Sequence, residues 1–291
     1  MKIAIFGGSF DPVHSEHINI ARAAQEKLAA DKVIAVPAFV PPHKQDRHLA
    51  SPADRLAMAK LAFANVKNCE VSAYELNAGG TSYTCLTLAY FRKKYPDAQL
   101  YLLVGSDMLR DFYTWREPAT ILSLAELVVC NREGEKVSFY AEQIRFFARF
   151  RKKFHTLEYV ARDVSSTKAR VLCAFGEDLR PYLCDDVIDY IEANQLYRVE
   201  NVKQALAYLK PARRKHTLRV ALTAAACAAH WRVEEHAAIR AAALHDAAKN
   251  LDLSAPELAG FRLEEKVPPP VLHQYTGAYL AEHTFGVTDE D

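Results

Sequence analysis

The run Lys2-Ile3-Ala4-Ile5-Phe6 is short, apolar and rich in strand formers. It passes through Gly7-Gly8 into a segment, Ile18 to Leu28, whose apolar residues fall near helical spacing. A strand joined to a helix through glycines sets the chain's first structural unit. Between them stands Ser9-Phe10-Asp11-Pro12-Val13-His14-Ser15-Glu16-His17. At such a turn Gly7 and Gly8 remove side chains that would block a ligand, while the backbone N–H groups and positive dipole end of the helix favour an anion. His14 and His17, at i and i+3, share one face of the first helical turn. Their imidazoles are suited to donate hydrogen bonds to phosphate oxygens, or to carry positive charge beside them. The plainer alternative is that one or both histidines cap or pack.

Further strand-like runs recur at Lys32 to Pro37, Cys69 to Leu76, Gln99 to Gly105, Glu126 to Asn131 and Thr156 to Val160. Helical patterns lie between most of them, including Pro52 to Val66, Ser82 to Tyr95 and Phe139 to Phe154. This alternation predicts an α/β fold, a Rossmann-like parallel sheet flanked by helices, with ligands at the carboxyl ends of the strands. Ser165-Ser166-Thr167 then head a helix to Phe175, and another runs from Pro181 to about Asn194. Beyond Glu200 strand formers thin out and alanines accumulate, which predicts a smaller all-α domain of closely packed helices. The expected division is residues 1–198 and 201–291, consistent with a chain of 291 residues, half of them hydrophobic.

The formal charge is +1, from 37 basic and 36 acidic side chains, so no global electrostatic case exists for nucleic acid or an anionic membrane. The six cysteines form no C-x-x-C pair and read as reduced core residues. The chain begins with a strand rather than a leader, and no apolar run approaches a membrane span, so the expected location is cytoplasmic.

The opening loop resembles the signature of the nucleotidyltransferases with a G-x-F-x-P-x-H-x-G-H loop, and within them the nicotinate mononucleotide adenylyltransferases. Further matches follow in the family's order: Pro41-Pro42-His43-Lys44, Arg55 and Met58, Thr81-Ser82-Tyr83-Thr84, Gly105-Ser106-Asp107, Trp115, Arg132, and Ser165-Ser166-Thr167-x-x-Arg170. The resemblance covers roughly residues 1 to 198. It implies transfer of the adenylyl group of ATP to nicotinate mononucleotide, giving deamido-NAD and pyrophosphate, with Mg2+ accompanying the ATP. The implied catalytic residues are His14, His17, Lys44 and Arg170. Those implied for ATP are Gly7, Gly8, Ser9, Phe10, Gly105, Asp107, Ser165, Ser166 and Thr167. For the pyridine nucleotide they are Thr81, Ser82, Tyr83, Trp115 and Arg132. Thr81 or Ser82 reads equally as a helix cap, and Arg55 and Arg132 equally as ion-pairing residues. Two departures carry consequences. Glu16 stands where the family has glycine, so its carboxylate would repel a triphosphate unless it turns away. Leu86 stands where the family has an acid.

In the second region His216, His245-Asp246 and Lys249, followed by His273 and Gly277-Ala278-Tyr279-Leu280, resemble the HD phosphohydrolases, in particular the bacterial group acting on diadenosine tetraphosphate. The resemblance implies a divalent metal held by His216, His245 and Asp246. It stops at residue 291, where the family continues with more histidines and a closing aspartate, so the module is expected to be truncated or degenerate. Asp252, Asp289 and Asp291 lack a helical context for that last ligand.

The leading expectation is therefore an adenylyltransferase with ATP and nicotinate mononucleotide as substrates. The alternatives are nicotinamide mononucleotide or phosphopantetheine as acceptor, HD-type nucleotide hydrolysis as the main activity, and a nucleotide sensor disabled by Glu16. Tyr83 and Trp115 favour the pyridine acceptor.

Overall fold

The computed structural model describes residues 1–41, 49–132, 141–159, 163–263 and 266–288, with the Arg132 side chain outside that set. Residues divide into two compact units, the first built from 1–41, 49–166 and 182–193 and the second from 167–181 and 194–288.

The first unit is a six-stranded sheet in the order β3-β2-β1-β4-β5-β6, every neighbouring pair parallel. Its strands are β1 (Lys2–Gly8), β2 (Lys32–Pro37), β3 (Cys69–Val71), β4 (Gln99–Gly105), β5 (Glu126–Arg132) and β6 (Phe154–Tyr159). Ile3 to Phe6, Val33 to Val36, Leu100 to Val104 and Leu127 to Cys130 are all buried, as expected for parallel strands covered on both faces. The flanking helices are α1 (Ser15–Lys27), α2 (Pro52–Phe63), α3 (Tyr74–Ala78), α4 (Thr84–Lys94), α5 (Ser106–Arg110), α6 (Pro118–Leu124), α7 (Ala141–Arg149) and α9 (Asp185–Ala193). The first residue of α8 (Ser166–Phe175) also belongs to this unit. Strand order reverses between β1 and β4, which opens the crevice where such sheets take ligands.

One expected strand is corrected. Cys69 to Leu76 was expected to be continuous, but β3 stops at Val71 and α3 begins at Tyr74. The turn to a helix carries Glu75 into a buried position that a half-buried edge strand would not provide. The cysteine expectation holds in part. All six are free thiols and Cys85 and Cys130 are buried, with burial pushing Cys130 up to about 12. Cys69, Cys173 and Cys184 are only half-buried and Cys227 is exposed.

The second unit is helical: the remainder of α8, then α10 (Val202–Ala207), α11 (Pro211–Trp231), α12 (Glu235–Leu244) and α13 (Leu272–His283). Its core joins Val171, Ala174 and Phe175 to Ala205, Ala221, Ala225, Ala242 and Ala243. Small side chains at these positions let helix backbones approach closely, which is how the alanine-rich sequence makes a core. No helix among the described residues is long and apolar enough to cross a membrane.

Candidate active site at the carboxyl edge of the sheet

β1 ends at Gly8 and α1 opens at Ser15, so the motif forms the connection between them. His14 occupies the N-cap position of α1, and its backbone N–H donates to His17 Nδ1 at 3.1 Å. The two rings lie 3.8 Å apart, tilted by 32°. With Nδ1 accepting, a neutral His17 ring carries its proton on Nε2, the form that donates to an anion. Phe10 is buried, and its ring meets the His17 ring edge-on at 4.9 Å while packing on Phe6 and Phe63. Its ring thus supports His17 from the core side. Two N–H groups that the sequence offered to an anion are committed within the protein, Ser15 N–H to the Tyr182 carbonyl and His17 N–H to the His14 carbonyl. The imidazoles and the helix dipole carry what remains of the anion preference. Glu16 is buried, and its carboxylate accepts from Asn19 Nδ2 at 3.2 Å, turned back along its own helix.

Beside this loop lies a cavity lined by Gly7, Gly8 and Ser9 from the end of β1, Val36 and Ala38 from the end of β2, and Leu102 to Val104 from β4. Glu75, Ser82, Thr84, Thr87 and Leu88 form another part of its lining, with Met108 and Trp115. Of the two glycines lining the cavity, Gly8 is the tighter, since a Cβ there would sit 3.2 Å from the Phe10 ring. A Cβ on Gly105 would meet Asp107 Oδ1 at 2.5 Å, so only glycine allows that carboxylate its place. Asp107 is exposed at the start of α5, and its carboxylate accepts from the Met108 N–H.

The Thr81-Ser82-Tyr83 segment is laid along the chain that follows β2. Val40 and Thr81 form a parallel bridge, Ser82 N–H donates to the Val40 carbonyl, and Ser82 Oγ accepts from Phe39 N–H at 2.9 Å. Neither Thr81 nor Ser82 caps α4: Tyr83 holds the N-cap position, because the serine hydroxyl is engaged with Phe39. The Arg116 guanidinium sits 4.6 Å over the Tyr83 ring. Trp115 is half-buried, packs against Phe112 and lines the cavity, and Leu86 is exposed. Arg55 is 1% exposed and donates to the carbonyls of Ala50, Ser9, Ala38 and Phe39. Its observed part is to tie the loops after β1 and β2 to the start of α2.

Ser166 Oγ donates to the Pro12 carbonyl at 2.9 Å, which joins the start of α8 to the opening loop, and Ser165 beside it is exposed. Thr167 and Arg170 belong to the second unit. There the Arg170 guanidinium grips Glu235 through two bonds, Nε to Oε1 at 2.7 Å and Nη2 to Oε2 at 2.6 Å, and also donates to Thr167 Oγ1. Pro42, His43 and Lys44 lie outside the described residues. Arg132 is the last residue of β5, opposite Tyr159, and its side chain lies outside them too.

In the second unit His216, His245 and Asp246 place one ligand atom each within 4.8 Å of one another. His245 Nδ1 meets the Ala242 carbonyl at 2.6 Å, which leaves Nε2 as the ligating nitrogen, 3.4 Å from Asp246 Oδ2. Two imidazoles and a buried carboxylate suit a divalent transition metal, so the residues fit the group the HD resemblance implies. Around Asp246 stand His273, 3.5 Å from Oδ1, and Arg213, whose Nη1 donates to Oδ2 at 3.0 Å. Arg213 was not singled out in the sequence. Neither was Glu75, which sat inside an expected strand.

A doubly wound sheet with a histidine-bearing loop at its switch point defines a Rossmann-like nucleotidyltransferase, and residues 5–172 match the cytidylyltransferase-like family. The chain belongs to that family, among relatives named for nicotinate-nucleotide adenylyl transfer. A probable nicotinate-nucleotide adenylyltransferase of Desulfitobacterium hafniense (strain Y51) is 37% identical over 199 residues, which are 68% of this chain and 96% of that one. Residues 213–291 match the HD domain family. A Mycoplasma genitalium protein called a probable nicotinate-nucleotide adenylyltransferase/Ap4A hydrolase is 32% identical over 292 residues, covering 99% of this chain and 79% of that protein. Among solved structures, Plasmodium falciparum nicotinic acid mononucleotide adenylyltransferase complexed with NaAD shares the fold. It has a TM-score of 0.55 at 20% identity, over 67% of this chain and 97% of that one.

Proposed function

We propose that the chain transfers the adenylyl group of ATP to nicotinate mononucleotide, forming deamido-NAD and pyrophosphate. The observation that carries this reading is the paired His14 and His17 at the β1–α1 connection, beside a cavity bordered by Ser82 and Trp115. A phosphate oxygen of the acceptor attacks the α-phosphorus of ATP, the bond to the bridging oxygen breaks, and pyrophosphate leaves. The nucleophile is already anionic, so no strong base is required, and catalysis is positioning plus stabilisation of charge. His17, and His14 beside it, would donate to the transferring phosphoryl group. Gly7, Gly8, Ser9, Gly105, Ser165, Ser166 and Thr167 border or bind the nucleotide, and Asp107 accepts from ribose hydroxyls. Phe10 acts from beneath, through His17.

Lys44 and Arg170 are the cations assigned to the triphosphate, and Arg170 must exchange its Glu235 carboxylate for phosphate to serve there. ATP enters as its magnesium complex. The pyridine ring stacks on Trp115, and Thr81, Ser82, Tyr83 and Arg132 would hold its carboxylate end. Residues 1–198 are assigned to this activity, in the cytoplasm. The test is formation of deamido-NAD and pyrophosphate from ATP and nicotinate mononucleotide by the purified chain.

The cluster at Asp246 favours a second activity in residues 201–291, hydrolysis of a dinucleoside polyphosphate. A metal bound there would supply an activated water. His216, His245 and Asp246 would hold it, and Arg213 is placed to meet a phosphate oxygen. Calorimetric titration with Mn2+ is expected to give one site that Asp246→Ala abolishes, and unchanged binding in that variant would remove the assignment.

A further inference from the structure

Glu75 is the one carboxylate on the cavity wall among the described residues, and nothing in the opening motif accounts for it. It is 8% exposed and lies on α3. Thr87 Oγ1, one turn into α4, donates to its Oε1, and the same hydroxyl lies 3.4 Å from the Tyr83 carbonyl. Ser82 Oγ accepts from Phe39 N–H. The rim is therefore held at Ser82 by the segment after β2 and at its α4 end through Thr87 and Glu75. All of these residues lie in the first unit, and Glu75, Ser82 and Thr87 all line the cavity.

We propose that Glu75 is a positioning residue for the pyridine acceptor, fixing Thr87 and the Tyr83 end of the Thr81–Thr84 rim so that the rim keeps the shape that receives the ring. The inference rests on the reading of that acceptor as nicotinate mononucleotide. Three features carry it. First, Thr87 is held by Glu75 beside the Tyr83 carbonyl while Ser82 is held by Phe39 N–H, so the rim is anchored at both residues. Second, the buried Glu75–Thr87 hydrogen bond ties α3 to α4, and the acceptor rim lies in the segment that joins them. Third, burial on the cavity wall pushes the Glu75 carboxyl above the ordinary carboxylate range despite its hydrogen bond with Thr87. The nucleotide loop is held separately, by Arg55 on Ser9 and by Ser166 on Pro12, so losing Glu75 disturbs the acceptor side alone.

Steady-state constants measured with acceptor and ATP varied in turn distinguish positioning from general structural support. Glu75→Ala is expected to raise the acceptor KM on the order of tenfold while KM for ATP and kcat stay within about twofold. Glu75→Gln keeps the shape and still accepts from Thr87, so it should restore most of the affinity. Thr87→Val removes one bond at constant volume and should raise the acceptor KM about threefold. It carries the test if the alanine variant fails to fold. Equal changes in both KM values, a fall confined to kcat, or a Gln variant as impaired as Ala would overturn the proposal. An unmoved acceptor KM in Thr87→Val would do the same. If the unmodified chain turns over no nicotinate mononucleotide, the functional reading fails instead, and the two failures remain distinct.

Discussion

His17→Ala is expected to lower kcat on the order of a hundredfold or more, the usual cost of removing one preorganised donor from a charge-stabilising site. The argument rests on a fixed tautomer. The His14 N–H occupies Nδ1, so the His17 proton is held on Nε2 and needs no reorganisation when charge develops on the phosphoryl oxygens. Phe10 beneath the ring keeps its plane in place. Folding should survive, because His17 is a half-buried side chain whose hydrogen bond from the His14 N–H is worth about 1 kcal/mol, and Phe10 keeps its packing on Phe6 and Phe63. His17→Asn separates the two roles, since its Oδ1 can still accept from the His14 N–H while no donor takes the place of Nε2. Pyrophosphate release should fall as far in Asn as in Ala, with unfolding close to that of the parent. Near-normal turnover in either variant would remove His17 from the reacting centre.

Arg55→Ala is expected to cost about 4 kcal/mol of stability in the first unit, which sits at the severe end for a single substitution. The guanidinium is buried and answers four backbone carbonyls at once, at Ala50, Ser9, Ala38 and Phe39. Each carbonyl left unsatisfied costs about 1–3 kcal/mol before relaxation, and the vacated volume adds to that. For a unit of this size the thermal midpoint should drop by roughly 10 °C. Arg55→Lys should recover only part of the loss, because a point-like ammonium cannot reach carbonyls spread along a planar fork. Ser9 and Ala38 both line the cavity, so the surviving folded fraction should also bind substrate less tightly. A midpoint within about 2 °C of the parent would show that the guanidinium is not what holds these loops.

The parallel sheet and its opening turn were legible because both faces of β1, β2, β4 and β5 are buried, which leaves continuous apolar runs in the sequence. Local periodicity failed where burial is conferred by partners far along the chain. Cys69 to Leu76 reads as one strand, yet the chain turns after Val71 and buries Glu75 against Thr87. Ser82 reads as a cap, yet Phe39, 43 positions earlier, takes its hydroxyl. Arg55 matches the family motif and reads equally as an ion-pairing residue, while its burial among carbonyls becomes visible only when the ends of β1 and β2 are brought together. Arg170 is the sharpest case. Motif spacing assigns it to a triphosphate, while the folded chain sets it against Glu235, 65 positions away, a pairing that no local pattern contains. Glu16, the departure from glycine, is buried, and its carboxylate accepts from Asn19 within the same helix, a local pairing that the sequence spacing allows.

The central claim is the identity of the acceptor, and it is tested by pyrophosphate release from ATP with nicotinate mononucleotide, nicotinamide mononucleotide and phosphopantetheine offered separately to the purified chain. The account requires release with nicotinate mononucleotide, weaker release with the nicotinamide form, and none with phosphopantetheine. Release only with phosphopantetheine, or with none of the three, would contradict it.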